Sequence, residues 1–160
     1  LDRNLTVIGN TDIHNLIAHD YDIEREGIHR TMTLVMAKDR SAASIREALE
    51  NGNTVAWSSN YLFGKEENVR NLFNACVTLG PVYHEKTNAK GVKTKYYEFS
   101  NNSDLYFELL LKEGNGTQKV ILYPQSAQNI SVTGDPSKLT YEVVSTFIRS
   151  DKHLLVDYSL

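Results

Sequence analysis

Two different rhythms of apolar and polar positions divide the chain. In the first half, short apolar runs alternate with one helical stretch. Leu5-Thr6-Val7-Ile8 is a brief β-branched run ended by Gly9-Asn10, which predicts a buried strand. Thr31 to Lys38 alternates and predicts a second strand. Ser41 is placed to cap a helix in which Ile45, Ala48 and Leu49 recur at helical spacing, and Gly52 suits the left-handed residue after its last turn. Thr54-Val55-Ala56-Trp57 then predicts another strand, and Tyr61-Leu62-Phe63-Gly64 closes the unit. Strand, helix and strand with short joints make an α/β unit whose apolar positions are expected in the core.

From Lys65 to Val77 the period is again helical. Val69, Leu72, Phe73 and Cys76 form one stripe, with Glu66 and Glu67 in the first turn where the helix dipole favours acids. Gly80-Pro81 marks a boundary. Beyond it the pattern turns to short β-rich runs separated by Gly, Asn, Ser and Pro: 95–99, 104–111, 119–122, 129–132, 139–147 and 153–158. Strands at this spacing predict an antiparallel, immunoglobulin-like sandwich without a disulfide. The expected organisation is α+β, with an α/β part over residues 1–80 and a β-sandwich over residues 81–160. Tyr96, Tyr97, Tyr106, Tyr123, Tyr141 and Tyr158 are expected as interior or rim packing, with a carbohydrate-stacking surface as the alternative.

Composition narrows the function classes. At 41% apolar and 23% charged over 160 residues, the chain reads as globular. A net charge of −3 offers no basic footprint for nucleic acid. The lone cysteine, Cys76, excludes an internal disulfide and fits an inert thiol on the apolar stripe. No run is long enough to span a membrane, and no signal peptide stands at the start. The first residue is Leu1, so periplasmic, secreted and cytoplasmic locations all stay open. Asn-x-Ser/Thr triplets at Asn4, Asn101, Asn115 and Asn129 carry little weight in an Asn-rich chain.

The candidate chemistry lies directly after the first predicted strand. In Asn10-Thr11-Asp12-Ile13-His14 an extended backbone would send Asp12 and His14 to one side and Ile13 to the other. A hard carboxylate beside a neutral imidazole suits zinc, iron or manganese. Asn15 to Arg30 is polar, reading as a functional loop with at most one helical turn near 15–19. Within it His19 fits an exposed loop position, and His29, beside Arg30, is a candidate for a phosphate-facing role. A separate small site from Asp12, His14, His19 and Glu24 would have suitable ligand types but no recognised spacing.

Taken in order, Asp12-Ile13-His14, Thr33-Leu34-Val35, Ile45-Arg46-Glu47-Ala48-Leu49 with Gly52, and Thr54-Val55 resemble the C-terminal end of the polymerase-and-histidinol-phosphatase (PHP) family. The resemblance covers roughly residues 4 to 60, and β domains appended to such enzymes extend it loosely over the rest. It implies a metal-dependent phosphoesterase, with Asp12 and His14 as the last metal ligands and divalent zinc, manganese or iron as cofactor. In that family the clustered ions bind phosphoryl oxygens and activate water. The other family ligands belong to upstream segments opening with His-x-His, which has no counterpart among His14, His19, His29, His84 and His153. The chain is therefore expected to be the C-terminal part of a longer phosphodiesterase-like enzyme, inactive alone and weak or void in metal binding. Its expected partners are a phosphate-ester substrate and the remainder of its own PHP domain, and unpaired sheet edges favour self-association. The competing reading is a non-catalytic β-sandwich binding module in which Asp12 and His14 are ordinary loop residues.

Overall fold

The computed structural model describes Arg3, residues 5–16 and residues 30–160. The chain divides into two units, one from residues 1–69 and 147–152, the other from 70–146 and 153–160.

In the first unit, β1 (Met32–Val35) and β2 (Thr54–Ser58) flank helix α1 (Ala42–Glu50), and β3 (Tyr61–Gly64) follows β2. β1 pairs with β2, and β2 with β3, both antiparallel. Phe147 of β11 (Thr146–Phe147) extends the sheet beyond β3. The unit is thus an antiparallel sheet with a helical excursion, whereas a parallel crossover would need β1 and β2 to run the same way. A partial PHP barrel is not part of what these strands display.

Helix α1 starts where the sequence places it. The Ser41 hydroxyl accepts the Ser44 amide at 3.1 Å, and Gly52 sits at φ 69 just past the Asn51 cap. Its buried stripe differs from the expected one. Ser44 and Ala48 face inward, while Ile45 and Leu49 are 38% and 36% exposed. The cause is polar: the Ser44 Oγ accepts the amides of Lys38 and Asp39 at 3.0 and 3.2 Å, which fixes the rotation of the helix.

The second unit begins within α2 (Glu66–Cys76), whose Phe73 is fully buried and meets Phe107 edge-on at 5.1 Å. One sheet centres on β6 (Lys93–Asn101), paired along one edge with β9 (Ser126–Thr133). Its other edge pairs with β4 (Val77–Leu79) and β5 (His84–Thr87). The other sheet has the order β12 (Leu154–Ser159), β10 (Lys138–Val143), β7 (Phe107–Glu113), β8 (Lys119–Leu122), all antiparallel. Alternate residues fill the space between sheets: Tyr97 and Phe99 from β6, Ile130 and Val132 from β9, Leu139, Tyr141 and Val143 from β10. Outward positions carry cross-strand ion pairs such as Lys112–Glu142 and Lys119–Glu108. The Lys119 hydrogen bond holds the Glu108 carboxyl below the usual range. This is the expected immunoglobulin-like sandwich, and Cys76 is a buried free thiol whose ionisation burial pushes up.

Two tyrosines in this core make stability depend on alkaline pH. Burial pushes the Tyr141 phenol up to about 12 and raises Tyr158 further in the same direction. Folded, both keep their protons, whereas unfolded tyrosines ionise near a pKa of about 10. Above that pH the unfolded state binds fewer protons than the native one, so stability falls as pH rises. Urea midpoints are expected to be flat between about pH 8 and 9.5 and to drop steeply above about pH 10. Tyr141→Phe is expected to lessen that drop.

Candidate metal centre

The segment Leu5–Ile8 that leads to Asp12 and His14 is not the predicted strand. Residues 5–14 have no regular pairing, and Leu5 and Ile8 are 64% and 58% exposed instead of buried. The segment is held on the sheet by threonine hydroxyls in place of ladder bonds. Thr33 Oγ1 accepts the Gly9 amide at 3.0 Å and lies 3.1 Å from the Gly9 carbonyl, to which it donates. Thr54 Oγ1 donates to the Val7 carbonyl at 2.7 Å. Among the described residues these hydroxyls stand where the in-plane partners of a strand would, so the segment lies against the sheet face without extending it.

Gly9 permits this crossing. A Cβ there would stand 2.9 Å from the Met32 carbonyl oxygen and 3.2 Å from the Ala56 Cβ. Gly9→Ala is expected to lift the segment, at about 1–3 kcal/mol for forced overpacking. Hydrogen exchange would show faster exchange at Gly9 and its flanking amides with the sandwich amides unchanged; protection equal to wild type would refute the anchoring role.

Beyond Gly9 exposure alternates: Thr11 and Ile13 are partly covered, while Asp12 and His14 face solvent. Their tips approach to 3.6 Å between Asp12 Oδ1 and His14 Nε2. Asp12 sits at φ 51, a left-handed conformation in which Asp is among the few tolerated side chains. The Thr11 hydroxyl accepts the Ile13 amide at 3.4 Å and supports the bend. Two unlike donors are therefore turned outward together on an anchored loop. As metal ligands they fit one part of a coordination sphere: carboxylate and imidazole together suit zinc, manganese or iron. Among the described residues no group of three or more His, Cys, Asp or Glu comes together. His19, His29 and Glu24 lie outside the described residues. His84 and His153 belong to the second unit, where the His153 ring meets the Thr146 carbonyl at 2.6 Å.

The anchoring residues Gly9, Thr33 and Thr54 carry a signal the apolar pattern hides. Threonines at Thr31 and Thr33, and at Thr54, put hydroxyls on one face of otherwise apolar strands. Thr33 and Ala56 are register partners and so share the face that Gly9 touches.

Residues 77–159 match the Ig-like domain family DUF5001, and the chain belongs to that family. The whole chain is also similar to one crystal structure, a two-domain protein containing a predicted PHP-like metal-dependent phosphoesterase from Bacteroides vulgatus. The two share 32% identity and a TM-score of 0.86 over 99% of this chain. The match covers 47% of that protein, so this chain spans about half its length. No curated protein matches the chain. Among the described residues, no helix is long and apolar enough to cross a membrane.

Proposed function

We infer that the chain acts as the C-terminal part of a PHP-type metal-dependent phosphoesterase, with phosphodiesters as the favoured substrates. In this reading residues 1–80 are the C-terminal remnant of the PHP domain and residues 81–160 its β-sandwich accessory domain. The observation that carries it is the Asp12–His14 pair, turned outward with tips 3.6 Å apart on a loop tied down by Thr33 and Thr54. Similarity across 99% of this chain to the Bacteroides two-domain protein supports the same reading. So does the exposure of Leu5, Ile8 and Leu16, apolar side chains that the remainder of a PHP domain would cover.

Asp12 would contribute its carboxylate and His14 one ring nitrogen to the metal site. Divalent ions held there would supply positive charge to the phosphoryl oxygens and lower the barrier to hydrolysis. The chain's own part is to fix the two donors: the Thr33–Gly9 and Thr54–Val7 bonds set their place, and the Asp12 bend sets their direction. With two donors, this chain alone would bind metal weakly and turn over no substrate.

The test is hydrolysis of bis(p-nitrophenyl) phosphate with added manganese or zinc, by the longer two-domain protein and by this chain. Metal-dependent turnover in the longer protein and none in this chain is expected. Equal rates in both, or none in the longer protein, would overturn the reading. The second outcome would favour the rival, a non-catalytic binding module, which the family match over residues 77–159 supports.

A further inference from the structure

The tyrosines of the sandwich separate into two sets. Tyr97 and Tyr141 lie inside, and Tyr158 packs edge-on against Phe99 at 5.0 Å. Tyr123, in contrast, is 61% exposed on the loop joining β8 to β9, with its ring 5.8 Å from that of Tyr106. Burial does not explain Tyr123, yet its surroundings are unusually well fixed.

A single buried side chain ties down the two loops involved. Asn101 Nδ2 donates to the Leu105 carbonyl at 2.7 Å and to the Tyr123 carbonyl at 2.9 Å. Its Oδ1 accepts the Ser103 amide and hydroxyl, and the Ser103 hydroxyl accepts the Leu105 amide. Across the loops, the Gln125 amide group donates to Asp104 Oδ1 at 3.3 Å, and the Gln125 backbone amide donates to the Ser103 carbonyl. Pro124 stiffens the turn, and Gln125 then adopts φ 51. Glycine or asparagine would take that conformation at less cost, so the strained position keeps a side chain whose one visible use is its amide. The same network makes the Asn101 triplet useless as a glycan attachment site, because its nitrogen is buried and engaged.

We propose that this loop pair, Tyr123 with Tyr106, Asp104 and Gln125, is a binding platform for a neutral carbohydrate chain. An exposed tyrosine ring held rigid at its backbone offers an apolar face to the C–H side of a pyranose at little entropic cost. A carboxylate bridged to an amide offers an acceptor and a donor side by side, matching neighbouring sugar hydroxyls. Charge selects the neutral ligand class: Asp104 puts a carboxylate here, while Glu108, to which the Tyr106 hydroxyl donates at 3.1 Å, is already paired with Lys119 at 2.8 Å and adds no net charge. An anionic polymer would be repelled. The platform lies wholly within the Ig-like domain and does not depend on Asp12 or His14.

The test is native affinity electrophoresis of the 160-residue chain in gels containing β-glucan, xylan, mannan or galactan, with polygalacturonate as the anionic control. Retardation by at least one neutral polysaccharide is expected. Tyr123→Ala should weaken it at least about tenfold, Tyr123→Trp should keep it, and Asp104→Ala or Gln125→Ala should weaken it. Unchanged thermal midpoints would show that the variants fold. The proposal is overturned if no neutral polysaccharide retards the chain, if Tyr123→Ala is retarded as wild type, or if polygalacturonate alone retards it.

Discussion

Replacing Asp12 or His14 with alanine is expected, on the proposed metal-site reading, to lower metal-dependent phosphodiester hydrolysis by the PHP-containing protein at least about a hundredfold. A lost ligand removes charge stabilisation worth several kcal/mol, and each 1.36 kcal/mol is tenfold in rate. Stability should hardly move. Both side chains are almost wholly in water, at 96% and 85% exposure, and their mutual contact is a surface one. A surface substitution such as His14→Ala stays within about 0.5 kcal/mol, whereas Asp12→Ala puts alanine at φ 51 and costs about 1 kcal/mol. The thermal midpoint should therefore match wild type in the first and fall slightly in the second, while bound metal falls in both. Retained activity with full metal content would remove both residues from the site. A lowered midpoint with lost activity in His14→Ala would instead point to a structural role for the loop, a result the Gly9→Ala variant would reproduce.

The largest stability effect is expected at Phe99. Its ring is fully buried between the sheets and meets Tyr141 at 5.8 Å and Tyr158 at 5.0 Å, both edge-on. Phe99→Ala deletes the shared partner of two aromatic contacts and leaves a cavity at the centre of the sandwich. The cost should be about 3–5 kcal/mol, a large part of the 5–15 kcal/mol that holds typical domains. Phe99→Leu, which keeps most of the volume, should cost less than half as much. Urea unfolding followed by tyrosine fluorescence measures both; a Phe99→Ala loss below about 1 kcal/mol would contradict the packing described.

The sandwich was legible because its strands carry the period-two pattern that burial on one face imposes. The run at 119–122 coincides with β8, and the 95–99 and 129–132 runs lie inside β6 and β9. The run at 139–147 breaks at Val144–Ser145, where the chain turns between β10 and β11. Strands without that pattern leave no such trace in the sequence. β5 is His84-Glu85-Lys86-Thr87, exposed throughout, and pairing with β6 alone makes it a strand. β4 continues directly from the apolar stripe of α2, so its first residue, Val77, reads as helix, and Thr78 and Leu79 fall in no predicted element. Leu5–Ile8 failed the other way. Its β-branched residues promised burial, but the Thr54 hydroxyl takes the Val7 carbonyl, the Thr33 hydroxyl holds Gly9 just beyond, and Leu5 and Ile8 lie outside. At the candidate centre, residue types and their shared direction were readable from Asp12-Ile13-His14. The left-handed turn at Asp12 and the threonine anchors were not, since both depend on contacts 24 to 47 residues away or on a backbone state that Asp only permits.

The most direct test of the metal reading is anomalous diffraction from crystals of the longer protein grown with manganese or zinc. The account predicts an anomalous peak bonded to a His14 ring nitrogen and an Asp12 carboxylate oxygen at about 2.0–2.2 Å. Metal bound elsewhere, with both side chains still turned to solvent, would contradict it.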